Sequence, residues 1–153
     1  MNQPKLRAEL SRDEGRSLSA YRDSRGYFTI GVGHLLGSSP RMSTITDEEC
    51  DALLDVDIAE AVGVVRRVFS GTITDGWELA EDVRMRALVN MAFNRGEGGM
   101  RNSTTITPAI RAAMKGEGEW RNVANAIMAS PWATQVGSRA VRLADMLQFG
   151  VAA

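Results

Sequence analysis

The sequence predicts an α+β fold with a small β-containing lobe at the N-terminal end, one long helix and an all-helical C-terminal lobe. Three observations predict it. Short β-prone runs cut by turn residues are confined to the stretch before residue 35. A strong helix-start signal at Thr46 is followed by apolar residues at helical spacing as far as Phe69. From Glu81 onward the apolar residues recur only at helical spacing. Strands at one end of a chain and helices at the other fit α+β better than alternating βαβ units.

The elements follow in order. Pro4–Asp13 is a predicted helix with Leu6 and Leu10 four apart on one face, and Gly15 is its stop signal. The runs SLSAYRD, GYFTI and VGH are β-prone and are separated by Ser24–Gly26 and by glycines. Leu35 to Ser43, with Gly37 and Pro40, reads as a loop. Thr46 and Glu49 form a capping box, in which the Thr46 hydroxyl accepts the Glu49 N–H and the Glu49 carboxylate reaches back. The acids of that first turn also suit the helix dipole. Cys50, Leu53, Leu54, Ile58, Ala61, Val62, Val65 and Phe69 continue the helix, which ends at Ser70-Gly71. At ~1.5 Å per residue it exceeds 30 Å, long enough to bridge two lobes. Glu81–Arg95 is the next helix, closed by Gly96. Residues 97–106 read as a loop, and Thr107-Pro108 has the residue order of an N-cap and first helical position. That short helix ends at Gly116. Glu119–Ala129 is helical and stopped by Pro131, and Ser138–Phe149 is closed by Gly150.

Composition narrows the function classes. A chain of 153 residues, 44% hydrophobic and 24% charged, fits one soluble globular domain. Its one cysteine, Cys50, excludes an intrachain disulfide and reads as a small buried hydrophobe. MNQPKLRAELSRDEG lacks the apolar core of a signal peptide, and no run approaches the ~20 apolar residues of a membrane span. Residence in the cytoplasm and no stable membrane insertion are therefore expected. Residues 42–65 carry seven acids and no Lys or Arg, so with −1 overall the rest of the chain holds +6. A basic remainder favours an anionic polymer. Nucleic acid is the competing partner, but the chain has no aromatic-studded basic run, zinc spacing or helix-turn-helix signature. A lone histidine cannot supply a His-rich metal site, and Gly-x-Gly near it lacks the third glycine and helix of a dinucleotide loop. No metal or cofactor is expected.

The chemistry concentrates in residues 14–34, EGRSLSAYRDSRGYFTIGVGH. Glu14 would sit at a helix end and Asp23 on a nearby turn. Two carboxyl groups held across a cleft are what glycosidic cleavage needs. One protonates the leaving oxygen, and the other stays ionised to position water or to stabilise positive charge on the sugar. Spacing alone favours solvated surface charges over such a pair, because the chain has 19 acidic residues.

The stretch resembles a family, however. Glu-Gly at 14, Tyr-x-Asp ending at Asp23 and Gly-Tyr-x-Thr-Ile-Gly-x-Gly-His-Leu-Leu across Thr29 are similar, without gaps, to the catalytic signature of the T-even phage lysozymes, glycoside hydrolase family 24. NMAFNRGEG at 90–98, SPWATQ at 130–135 and SRAVR at 138–142 match in place and order. The resemblance thins at residues 98–108 and at Val136-Gly137.

It implies a lysozyme-like domain over 1–153. Residues 14–45 form the lobe with an antiparallel β-sheet, 46–70 the bridging helix, and 71–153 the helical lobe on which helix 4–13 packs. It implies an inverting muramidase of bacterial peptidoglycan, with Glu14 as general acid, Asp23 as its ionised partner and Thr29 bonded to the attacking water. Leu35, Phe93, Asn94 and Gln135 match sugar contacts, although core packing is an equal reading of Leu35 and Phe93. Arg139 matches an arginine that orients the acid. Asp55 matches the partner of His34 in an ion pair between the β-lobe and the bridging helix. A monomeric endolysin is implied, waiting in the host cytoplasm and released by a holin. A lytic transglycosylase, which needs one acid and no water, and an inactive wall-binding module are the alternatives.

Overall fold

The computed structural model describes residues 1–23, 25–39, 43–73 and 81–152. Ser24 and Pro40, both expected in turns, lie outside the described residues. The chain divides into two compact units, Gln3–Glu60 and Ala61–Ala153 with Met1–Asn2.

The first unit opens with α1 (Gln3–Glu14), which buries Leu6 and Leu10. Three strands follow, β1 (Ser17–Arg22), β2 (Phe28–Gly31) and β3 (His34–Gly37), paired antiparallel in that order. Leu35, expected at the start of a loop, lies in β3. The strand is four residues long, too short to show a period-2 pattern, and its pairing with β2 rather than its own sequence fixes it.

The unit also holds most of α2 (Asp47–Val68), whose last turns belong to the second unit. Its capping box forms as the sequence predicts. Glu49 N–H donates to Thr46 Oγ1 at 3.2 Å, and Thr46 N–H donates to Glu49 Oε2 at 2.8 Å. Cys50, Leu54, Ile58, Ala61 and Val65 make the buried stripe. Within this unit α1 meets α2. Arg7 grips Asp55 of α2 through both carboxylate oxygens, with Nε–H to Oδ1 at 2.8 Å, and Gln3 adds a bond to Oδ1 at 3.2 Å.

Those bonds overturn the expected pairing of His34 with Asp55. His34 Nδ1 instead lies 2.9 Å from Asp57 Oδ2 and 3.0 Å from Oδ1. The reason is helical geometry. Two positions are ~200° apart around a helix, so Asp55 and Asp57 flank the Leu54–Ile58 stripe on opposite sides. Asp55 faces α1 and Asp57 faces β3. Burial raises the Asp57 carboxyl pKa, and the His34 hydrogen bond and charge only partly oppose it. A raised folded pKa means that the Asp57 share of stability is full below its unfolded pKa and is lost as pH rises through the folded one. Wild type should therefore lose ground to Asp57→Asn as pH rises through that window. In a double-mutant cycle at near-neutral pH, His34 and Asp57 should couple by about 1 kcal/mol, while His34 and Asp55 should add within about 0.3–0.5 kcal/mol. Chemical denaturation of the four variants of each cycle reads both numbers, and coupling through Asp55 instead would refute the assignment.

The second unit is helical: α3 (Asp82–Arg101), α4 (Ile106–Met114), α5 (Trp120–Met128), α6 (Pro131–Val136) and α7 (Ser138–Phe149). Every residue from Met85 to Ala92 is buried, the mark of a helix enclosed on all sides. Here α7 packs on α3, α5 and α6, and α4 packs on α5.

Three expectations are corrected in this unit. Gly96 does break α3, with φ 64° and ψ 177°, but helix resumes beyond it to Arg101, where a loop was expected. Glu97 supports the resumed turn by accepting from both Arg101 and Arg67 at 2.8 Å. Thr107 does not cap α4. Its hydroxyl donates to Met100 O at 2.5 Å, and Pro108 stands at the third helical position. Pro131 does more than stop α5. It begins α6 behind Ser130, whose Oγ accepts the Ala133 N–H at 3.3 Å.

Candidate active site

Glu14 is the last residue of α1. The helix stops there because Gly15 takes φ +79° while its N–H still bonds Ser11 O at 3.0 Å. The Glu14 side chain lies against Gly33 in the β2–β3 turn, where a Cβ would come within 3.6 Å of Glu14 Oε2. That distance is an ordinary contact, but Gly33 takes φ +73°, so any side chain there would be strained.

Asp23 follows β1 and is held by the turn it helps to make. Its Oδ1 accepts the backbone N–H groups of Arg25 and Tyr27, each at 2.9 Å. Its own N–H donates to Tyr27 O at 2.8 Å. This is an Asx-type turn, and it fixes the carboxylate by short-range bonds. Burial raises the Asp23 pKa, but the two N–H groups and the Arg25 guanidinium outweigh it and hold the carboxyl below its ordinary value. Asp23 is thus an anion throughout the neutral range. Its contribution to stability is present above its unfolded pKa and is lost as pH falls through the folded one.

Thr29 sits in the central strand and is 5% exposed. Its register partners are Tyr21 on β1 and Leu35 on β3, so the three share one face of the sheet. Leu35 is 54% exposed, which excludes the core-packing reading for it. Tyr21 is a residue that the motif did not single out. Burial pushes its phenol pKa up, and the charges of Glu14 and Asp23 push the same way. The charges of both carboxylates thus reach this one phenol, and the helix end, the turn and the sheet face make a candidate cluster. The pairing of Tyr21 with Thr29 was the available signal, but register is invisible before the strands are paired. The cluster can give up a proton at one carboxyl, keep charge at the other and offer the Thr29 hydroxyl to a bound water.

The remaining candidates lie in the helical unit. Phe93 is half-buried and Asn94 exposed on α3, Gln135 is exposed on α6, and Arg139 is 5% exposed on α7. Arg139 Nε–H donates to Asn90 Oδ1 at 2.8 Å and Nη2–H to Asn90 O at 3.1 Å. Asn94 and Gln135 both line a cavity of about 610 Å³ together with Arg95, Ser130 and Trp132. The structure places Asn94 and Gln135 at one cavity, and it sets Tyr21, on which the charges of Glu14 and Asp23 both act, beside Thr29 in the sheet.

The phage lysozyme family model matches residues 11–143. Over 92% of its length the chain is 30% identical to the pre-baseplate central spike protein Gp5 of Enterobacteria phage T4, of which the match spans only 27%. It is 26% identical to a probable T4-type lysozyme of Dictyostelium discoideum, across 92% of each chain. An endolysin of Salmonella phage P22 is 33% identical over 63% of this chain and 64% of its own.

Proposed function

This chain belongs to the phage lysozyme family, and we propose that it is an endolysin that lyses its host by hydrolysing the β-1,4 bond between N-acetylmuramic acid and N-acetylglucosamine. Membership makes it a glycosidase of peptidoglycan. What supports the finer reading is that the charges of Glu14 and Asp23 both act on Tyr21, the register partner of buried Thr29. In this reading Glu14 donates its proton to the leaving oxygen. Asp23, held ionised by the Arg25 and Tyr27 N–H groups, takes the proton of a water that the Thr29 hydroxyl orients. Attack from the opposite face inverts the anomeric carbon, which calls for carboxyls about 6.5–9.5 Å apart. Leu35, Phe93, Asn94 and Gln135 are proposed as sugar contacts, and Arg139 as support for the acid, on the resemblance of their motifs alone.

Among the described residues no helix is long and apolar enough to cross a membrane. We propose that the protein acts as a monomer, binds no nucleic acid, and reaches the wall from the host cytoplasm through a lesion that a holin makes. Digestion of purified peptidoglycan followed by proton NMR tests the catalytic reading. New reducing ends should appear, with the α-anomer first. No new reducing end overturns the activity, and a β-anomer formed first overturns inversion.

A further inference from the structure

We propose that Tyr21, set opposite Thr29 by an irregularity in β1, is a further substrate contact, whose phenol O–H donates a hydrogen bond to the uncharged N-acetylated sugar at the bond being broken; this rests on the hydrolase reading above. Ser17 pairs with Gly31 and Tyr21 with Thr29, so four steps along β1 match two along β2. In regular pairing Ser19 would stand opposite Thr29. Instead Ser19 pairs with Thr44 in an isolated bridge. Ala20 N–H donates to Ser43 O and Ile45 N–H to Leu18 O, each at 2.9 Å. Residues 18–20 are thereby drawn off β2, and Tyr21 takes the place beside Thr29. Irregularities of this kind re-aim side chains next to sites. Here a long aromatic donor replaces a serine.

The side chain stays open to a ligand. Tyr21 is 39% exposed, and Leu35, on the other side of buried Thr29, is 54% exposed. Among the described residues the phenol makes no hydrogen bond. It keeps its proton, because burial and the charges of Glu14 and Asp23 all oppose ionisation, so it serves as a donor. The same two charges select the acceptor. An anion would be repelled beside them, whereas the hydroxyl, ring and acetamido oxygens of a sugar are neutral acceptors. Asp23 is a poorer claimant, since its Oδ1 already takes the Arg25 and Tyr27 N–H groups. A glycosidic bond cut by two carboxyls lies between them. The phenol on which both charges act is therefore a neighbour of the sugar on either reading of which carboxyl is the acid.

The test uses the full chain and soluble, uncrosslinked glycan strands of the wall. Tyr21→Phe keeps the ring and its packing, so its melting temperature should match the wild type. Its kcat/KM for reducing-end release should nevertheless fall about tenfold. Phenylalanine would satisfy a purely structural role, so wild-type kcat/KM in Tyr21→Phe overturns the proposal. A second readout needs no change at position 21. In Glu14→Gln, which should hold the strands uncleaved, the NMR signal of the Tyr21 ring carbon that bears the oxygen should move as strands are added. A signal that stays in place at saturating strands overturns the contact, since a phenol serving only Asp23 or the sheet does not meet the sugar. Strands that shift this signal while the wild type frees no reducing end would leave the contact standing as the hydrolase reading fell. Reducing ends released equally fast by wild type and Tyr21→Phe would do the reverse.

Discussion

Glu14→Gln is expected to slow wall hydrolysis by roughly 10²–10⁴-fold, since an amide cannot deliver the proton that the leaving oxygen needs. The substitution keeps the size and shape of the side chain. It stays beside Gly33 at the end of α1, where Glu14 is only half-buried. The fold should therefore survive, with an unaltered far-ultraviolet spectrum and a melting temperature close to the wild type. Reducing-end release from purified peptidoglycan checks the rate. A variant as active as the wild type would remove Glu14 from the role of acid.

On the proposed mechanism Asp23 has two tasks, and two substitutions separate them. Asp23→Ala removes the charge and also the acceptor that gathers the Arg25 and Tyr27 N–H groups. It should lose most activity and loosen the turn. Asp23→Asn retains an oxygen for those N–H groups but not the charge. It should keep the turn and still lose activity by roughly 10²–10³-fold, the scale of removing a preorganised charge from a transition state. Comparing the two by amide exchange at Arg25 and Tyr27 alongside turnover divides the effects. Full activity in Asp23→Asn would mean that the anion is not needed, which favours a transglycosylase.

Local signals were the legible part of this protein. The Thr46–Glu49 box, the Gly15 stop and the Gly150 cap each act within a few residues, so the sequence carries them whole. The catalytic candidates were legible for another reason. Glu14, Asp23 and Thr29 stand at a helix end, a turn and a strand that follow one another closely, and a family motif spans them. What failed depended on partners elsewhere in the chain. The helix beyond Gly96 is supported by Arg67, thirty residues away. His34 could have met either acid flanking the α2 stripe, and Arg7 on α1 decided the matter by taking Asp55. Thr107 gave up its cap for the Met100 carbonyl. The Ser130-Pro131 start of α6 is readable in the sequence, but a proline three residues past one helix serves equally as its stop and as the first residue of the next.

The most direct test of the mechanism is to weigh the fragments released from purified peptidoglycan digested in ¹⁸O-labelled water. Hydrolysis by Glu14 and Asp23 places one labelled oxygen on each new muramic reducing end, and borohydride then reduces that end. Unlabelled 1,6-anhydro ends that resist borohydride would show that no water attacks, and would contradict the role assigned to Asp23 and Thr29.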